Sequence, residues 1–570
     1  MSLIGALNVG KTALAIQQAA IQTTGNNIAN AGNADYTRQT SNVSPNKDQQ
    51  LKPGTFVGTG INLDSIQRQI DDALEARLRG STSDAQSADT TQQWLSRVEA
   101  AFNELSDQDL SSQLSTFFNS WSSLANKPQD IGLRQVVIQN GQSVASFFKN
   151  LRQQLGSLQK DAGDRLKAVA SDADNLAQQV ADLNAQIVQS EGGSGGSANG
   201  LRDQRDAVLK KLSELMDVKT VAQDNGTVID VYVGSEPLVV GTTNRGVGVR
   251  QDTDPASGSV TSTIIFKANN GNMKLTSGQL GALAAVQNQI DGVGDKIDTL
   301  AGNLIFELNK IHSAGQGLDG FSSVTGTNAV DDPTLALNNP KSGLKFAPVN
   351  GSFVVHVKNK TTGLTTSTLV KVDLDGLNNN DTTLNSLAAD IDGVANISAQ
   401  VNAGKLVVSA DTGDVEVSFS QDSSGALAAL GVNGFFTGSK ASDIAVNQNI
   451  VDDPNQIAAA KNGEKGDNQT ALAIAGLESA ALAGLGGASM KDNYQAVVNG
   501  VSTSAASAKN SAEATKVVQQ TLEAQRESLS GVSLDEEAIN LMKQQRAFQG
   551  AARLITAVSE MMDQLMNMVR

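Results

Sequence analysis

Cysteine is absent and histidine occurs only twice in the 570 residues. Without thiols there is no disulfide framework, no thiolate nucleophile and no cysteine-bound metal, and two imidazoles are too few for a structural zinc site, which normally takes four ligands. Aromatic residues are also scarce, 4% of the chain against 39% hydrophobic residues in all. That balance favours thin elements packed through Leu, Ile, Val and Ala over one large core. Positive charge is outnumbered, 43 Lys and Arg against 59 Asp and Glu, for a net charge of −16. Such a surface repels phosphate backbones and anionic lipid heads, so nucleic acid is not an expected partner.

Long apolar runs are missing too. A bilayer span needs about 20 mainly apolar residues, and Gln17, Gln18, Gln22, Thr23, Thr24, Asn26 and Asn27 interrupt every window near the N-terminus. That end, MSLIGALNVGKTALAIQQAAIQTT, has neither a basic leader nor a small-residue cleavage site, so it is expected to be retained, with no membrane insertion. Charge itself disappears from Thr12 to Ala34, a helix-length stretch rich in Asn and Gln. A segment of that kind suits burial against other protein.

What is present is sevenfold periodicity. Leu7, Leu14, Ile21 and Ile28 step by seven, as do Leu534, Leu541, Phe548, Ile555, Met562 and Val569, with Ala551, Val558 and Leu565 three places after members of that ladder. Both rows predict amphipathic terminal helices. Ser533 and Glu536 predict a capping box at the start of the second, worth about 1 kcal/mol. Inner rows repeat the device at Leu166, Ala173, Val180 and Ile187 with Val169, Leu176 and Leu183, and again at Leu283, Ile290, Ile297, Leu304 and Ile311. Trp94, Val98, Phe102 and Leu105 mark another helix, and Tyr494, Val497, Val501 and Leu522 a later one. The inner rows suit packing within the chain; the terminal rows suit assembly, because a narrow apolar stripe at a chain end gains little until another surface covers it.

Strand texture interrupts these helices. VIDVYV and STIIFK, with Asn-Gly pairs at 225 and 270, and FVVHVKN, STLVKVDL, KLVVSA and VEVSFS alternate with period two. A chain this long exceeds the roughly 250–300 residues at which a single core stops growing. The expected fold is α+β multidomain: paired N- and C-terminal coiled-coil-like helices, an elongated helical bundle, and inserted antiparallel β domains. The expected segments are an axial helix at 1–40 pairing with 533–570, a bundle in three parts at 41–218, 277–316 and 454–532, a small β unit at 219–276, and an outer antiparallel β domain at 317–453.

Chemistry-bearing motifs are few. His312 and His356 read as surface or turn residues, and no metal or cofactor is expected. DLDG at 373–376 has the wrong glycine position for a calcium loop and no Glu at the twelfth place. GGSGG lacks the preceding strand of a dinucleotide site and reads as a flexible turn between helices.

NNIANAGNADYTRQ at 26–39 resembles the N-terminal signature of flagellar rod, hook and hook-associated proteins, and LDEEAINLMKQQRAFQGAARLITAVSEMMDQL resembles their shared C-terminal helix. LRDQRDAVLKKLSELMDV, SGQLGALAAVQNQI, FFTGSKASDIAVN and GDNQTALAIAGL narrow the resemblance to the hook-associated protein 1 family. One departure is Asn33-Ala34-Asp35 where the family carries Thr-Pro-Gly before the tyrosine. The resemblance implies a non-enzymatic structural subunit, exported by the type III apparatus with an export chaperone and polymerised at the distal end of the hook. Its implied partners are copies of itself, the flagellar hook protein and the second hook-filament junction protein; its implied location is the extracellular hook-filament junction. The expected assembly interface comprises Leu7, Leu14, Ile21, Asn26, Asn27, Ile28, Asn30, Leu541, Phe548, Ile555, Met562 and Leu565. Asn26, Asn30 and Asn33, spaced by four and three, are expected to set register between subunits. The alternatives are another axial role, of hook or filament type, and a hydrolase carried in the β insertion through Asp373, Asp375 and Asp381.

Overall fold

The structure is a computed structural model that describes residues 3–102, 109–192, 196–253, 260–464 and 466–569. Leu105, the side chain of Val569 and part of GGSGG lie outside the described residues. The chain is α+β, with helices interrupted by small antiparallel sheets.

Helix α1 (Leu3–Ala29) leads into β1 (Gln39–Pro45), β2 (Gln49–Lys52), β3 (Thr55–Val57) and β4 (Ile61–Arg68). β1 pairs with β4 and β2 with β3. The helical reading of the chain from 41 onward is therefore corrected over 41–68. QTSN and INLDS alternate in burial as half-covered strands do, and Pro45 and Pro53 are incompatible with a helix interior.

Four helices follow: α2 (Asp72–Phe102), α3 (Leu110–Asn126), α4 (Ile131–Glu191) and α5 (Asn199–Leu215). Asp109 starts α3 by accepting the Ser112 amide at 2.8 Å. β5 (Val218–Gln223), β6 (Val228–Val233), β7 (Glu236–Val240) and β8 (Thr243–Asn244) form one antiparallel sheet in that order, and β9 (Val247–Thr253) pairs with β10 (Val260–Phe266). The turn from β5 to β6 uses Asn225 and Gly226, both at positive φ (56° and 82°), as a tight hairpin requires.

After α6 (Gly278–Ser313) come β11 (Ser323–Thr325), β12 (Gly351–Asn359), β13 (Thr365–Val372), α7 (Leu384–Asp392), β14 (Ile397–Asn402), β15 (Lys405–Ala410) and β16 (Val415–Ser420). They make two antiparallel sheets, β13-β12-β16 and β11-β15-β14, around a core that includes Phe353, Val355, Leu387, Ile391, Leu406 and Phe419. Helix α7 was not expected from the strand texture; Thr383 and Ser386 cap it reciprocally. Short pieces α8 (Ala426–Leu430), β17 (Phe436–Thr437), β18 (Ala445–Val446), α9 (Gln448–Asp452) and α10 (Gln469–Gly476) precede the long α11 (Met490–Ser530) and α12 (Leu534–Val569).

Two compact units divide the chain. The first comprises Met1–Trp94, Asp161–Gln287 and Ala506–Arg570. Its seam along α4 buries Leu166, Val169, Ala173, Ala177, Val180 and Ile187. Leu176 and Leu183 are only half-buried, and Ala177 and Asn184 take the places expected of them. An α-helix turns about 20° past each heptad, so strict sevenfold rows drift off the covered face. In this unit LRDQRD is a clamp: Arg68 on β4 meets Asp203 at 2.9 Å and Asp206 at 2.6 Å, while buried Arg205 donates to Asn184, Gly226 and Thr227. Burial lowers the Arg205 pKa to about 10. Glu191, ending α4, takes two hydrogen bonds from Arg202 and others from the Ala198 amide and Thr227, and the Arg202 contact leads in lowering its pKa to about 2.

The second unit comprises Leu95–Lys160 and Asn288–Ala505. Phe117, Phe118, Trp121, Phe435 and Phe436 cluster there, and His312 stands edge-on to Trp121 at 6.1 Å. The surface reading of His312 is corrected: the ring is fully buried. Drift along α6 leaves Ile311 half-buried and turns His312 inward. Its Nε2 accepts the Ala458 amide at 2.9 Å, so Nδ1 carries the proton and donates to the Asn433 carbonyl at 2.8 Å. Burial lowers its pKa to about 4. The neutral ring therefore contributes stability that is fully present above the unfolded value of about 6.5 and is lost as pH falls toward 4, a loss of about 3 kcal/mol at most. Acid titration of the melting temperature should show this loss between those limits, and His312→Gln should flatten that part of the curve. An unchanged acid profile in the variant would contradict it.

Candidate assembly interface

The terminal helices α1 and α12 pair, both in the first unit. Gly10 lies against Ile555 and Asn27 against Glu537, so the pair is antiparallel. The face of α12 turned to α1 follows 3–4 spacing: Glu537, Leu541, Gln544, Phe548, Ala551, Ile555, Val558 and Met562 are all buried or half-buried. Leu541, Phe548, Ile555 and Met562 therefore lie on this covered face. Leu565 does not: it is 54% exposed, because it has passed the level of Leu3.

On α1 the expected row is only partly covered within the chain. Leu7, Leu14, Ile21 and Ile28 are half-buried, whereas Gly10, Ile16, Ala20, Thr23, Thr24 and Asn27 are buried. Small residues occupy the deepest places because the backbones approach closely; a Cβ on Gly10 would lie 2.7 Å from Ile555 Cγ1. Gly25, in contrast, has open space around it. Gly10→Leu should destabilise the pair by about 1–3 kcal/mol through overpacking, and Gly25→Ala should stabilise α1 by up to about 1 kcal/mol through helix propensity. Thermal melts followed by far-UV circular dichroism should move in opposite directions; equal shifts would refute the close approach.

The asparagines divide by role. Helix α1 ends at Ala29, so Asn33 lies on a turn and shares no helical face with Asn26 and Asn30. Asn30 folds back onto the Asn26 carbonyl at 2.9 Å, satisfying a carbonyl of the last turn. Asn33 accepts the Asp35 amide at 3.1 Å in an Asx turn, which reverses the chain without the Pro-Gly pair. Asn26 is exposed.

Asn27 is the centre of a buried polar cluster. Its Nδ2 donates to Glu537 Oε2 at 3.0 Å and to the Gln39 carbonyl at 2.9 Å, and its Oδ1 accepts from the Tyr36 hydroxyl at 2.7 Å and the Gln39 amide at 3.1 Å. Arg38 completes the cluster, reaching Glu537 Oε1 at 2.7 Å and Glu536 at 3.0 Å. Glu536 is thereby turned away from the expected reciprocal cap, while Ser533 alone accepts the Glu536 amide, at 3.4 Å. Burial, Asp203 and Glu537 together raise the Tyr36 pKa to about 12, so the phenol stays a donor. The cluster spends the hydrogen bonds of Asn27 inside the chain. Arg38 and Glu537 were missed in the sequence, where an Arg after the signature and a Glu in an acidic first turn carry no mark of long-range pairing.

Away from α1, helix α12 carries a second apolar face. Ile539, Met542, Leu554, Met561, Leu565 and Met568 are 40–87% exposed and fall on one side with Gly550 and Ala557. No helix among the described residues is long and apolar enough to cross a membrane. Elsewhere, Asp373, Asp375 and Asp381 bring carboxylate oxygens within 4.8 Å of one another on a loop after β13. Asp375 and Asp381 accept loop amides and Asp373 the Asn380 side chain. His356 on β12 sits between two hydroxyls, Ser367 and Ser420, each at 2.7 Å.

Comparison with known proteins agrees with this architecture. Residues 95–328 match the family model of the flagellar hook-associated protein FlgK helical domain, and residues 523–568 that of the flagellar basal body rod FlgEFG protein C-terminal region. The chain is 27% identical over 572 residues to flagellar hook-associated protein 1 of Escherichia coli (strain K12), covering 98% of this chain and 99% of that protein. It is also 27% identical over 576 residues to flagellar hook-associated protein 1 of Bacillus subtilis (strain 168), covering 98% and 97%. Its fold resembles the solved flagellar hook junction protein FlgK from Burkholderia pseudomallei, with a TM-score of 0.50, 15% identity, and coverage of 80% of this chain and 100% of that one. A helical-domain match, a C-terminal match on α12 and relatives aligned end to end together support the identification of the chain as a flagellar hook-associated structural protein similar to hook-associated protein 1.

Proposed function

We propose that this chain polymerises at the distal end of the hook and forms the hook-filament junction, adapting hook to filament. The segments at 1–40 and 533–570 would carry the assembly. The observation that supports this reading is the second apolar face of α12: a long helix with one side covered by α1 and another bearing Ile539, Met542, Leu554, Met561, Leu565 and Met568 uncovered. Exposed apolar side chains gathered on one side of a helix, here in two groups separated by Lys543 and Arg546, suit a protein-protein contact. Its neighbours in this reading are further copies, the hook protein and the second junction protein. Export without a cleaved signal, through the type III apparatus and with a chaperone, belongs to the same proposal, as does a structural and not a catalytic role for the β domain. A strain lacking the chain should build hooks but shed unpolymerised flagellin, and the full-length chain should restore filaments. Filaments in the deletion strain would contradict the junction role, and cell-wall cleavage by the purified protein, lost in Asp373→Asn, would contradict the structural one.

A further inference from the structure

The covered faces of α1 and α12 repeat themselves. Ala6, Ala13 and Ala20 precede Asn27 at intervals of seven, and Gln544, Ala551 and Val558 follow Glu537 at the same interval. Sliding one helix past the other by a heptad therefore exchanges Ala for Ala in that row, and the row discriminates poorly between registers. Discrimination is concentrated at two places. A slide in one direction sets buried Glu537 against Ala20, with neither the Asn27 amide nor Arg38 in reach. A slide in the other sets Asn27 against Gln544 and again strands Glu537. At the far end Ile555 would meet Leu3 or Gln17 in place of Gly10, which has no side chain.

We propose that the Asn27–Glu537–Arg38 cluster selects the register of the terminal helix pair, with Glu537 as its positioning residue. Asn27 and Glu537 are 1% and 2% exposed, so in the observed register their hydrogen bonds come from the cluster and not from water, and a slide must break them. The anionic Glu537 also lies in the first turn of α12, where the helix dipole favours it. The role belongs to the pair itself and stands whether or not the junction reading holds.

The absence of cysteine makes the test direct. Three full-length double variants are oxidised and their intramolecular disulfides mapped by peptide mass: Gly10→Cys with Ile555→Cys reports the observed register, and Gly10→Cys with Phe548→Cys or Met562→Cys reports a slide of one heptad. Replacing Gly10 also removes its own preference for Ile555, so the polar cluster is tested alone. With the cluster intact, the observed-register disulfide should exceed each slipped one by about tenfold or more. Adding Asn27→Leu with Glu537→Leu should bring the three yields to within about threefold of one another. Glu537→Gln, which keeps one acceptor oxygen but turns an amide donor toward either Asn27 or Arg38, should leave a preference intermediate between the intact chain and the Leu-Leu variant. An unchanged preference in the Leu-Leu variant would overturn the proposal. Loss of all three disulfides there would overturn it as well, since the cluster would then hold the helices together without choosing among registers.

Discussion

Removing residues 541–570 should leave a folded, soluble chain that no longer joins the hook. The deletion takes the covered row of α12 from Leu541 to Met562 together with most of its exposed face. Helix α1 then loses its partner helix, including Ile555 against Gly10, and an isolated helix with small residues on its apolar side is marginal in water. The rest of the first unit keeps its own fastenings, among them Arg68 on Asp203 and Asp206, and Arg202 on Glu191. The second unit contains no residue of either terminal helix. Near-UV signal and a cooperative melt should therefore persist while far-UV helicity falls. Complementation of a strain lacking the chain should yield no filaments with the truncated form. Normal filaments would refute the assignment of assembly to the terminal helices.

Arg134→Ala should cost the second unit about 3–5 kcal/mol. The guanidinium is almost fully buried, with Asp319 and Asp453 close enough to act on it through space but no ion pair to it among the described residues. It bonds main-chain oxygens on two segments: Pro128 at 2.7 Å, Ile457 at 2.7 Å, Pro454 at 3.2 Å and Asn455 at 3.3 Å. Burial lowers its pKa to about 10, still well above neutrality, so it remains a cation and a full donor. Its loss leaves several buried carbonyls without partners and a void of guanidinium size. Arg134→Lys should recover little, because a single ammonium cannot span both segments with a planar fork. Near-UV dichroism of Trp121 followed through a thermal melt should show a fall of roughly 10 °C in both variants. A fall of a degree or two would mean that water replaces the fork at no cost.

The sequence carried the periods well and the registers less well. Strands at VIDVYV, FVVHVKN, KLVVSA and VEVSFS and the buried members of the inner seams follow from side-chain alternation alone, because that alternation is the cause of burial. The β1–β4 ladders were overlooked because their strands are short and mostly polar, and Gln49–Lys52 is exposed throughout. Heptad counting gathered Leu7, Leu14, Ile21 and Ile28 into one row, which is half-buried within the chain, while the close approach of the two helices is at Gly10 against Ile555. Leucine marks where apolar area is available, whereas close approach selects for its absence. For the polar cluster, the Asn-rich signature pointed to Asn27 but not to Glu537, which lies 510 positions away and is joined to it only by the fold.

The central claim is that the face of α12 bearing Met561 and Leu565 is open in the isolated chain and covered in the appendage. Because the chain has no cysteine, Met561→Cys and Leu565→Cys each supply a single thiol for maleimide labelling. Both thiols should react readily in the purified monomer and be protected in intact flagella restored by the same variants, while Thr362→Cys, on an exposed turn of the β domain, should react in both states. Equal labelling of Cys at 561 and 565 in monomer and flagella would contradict the account.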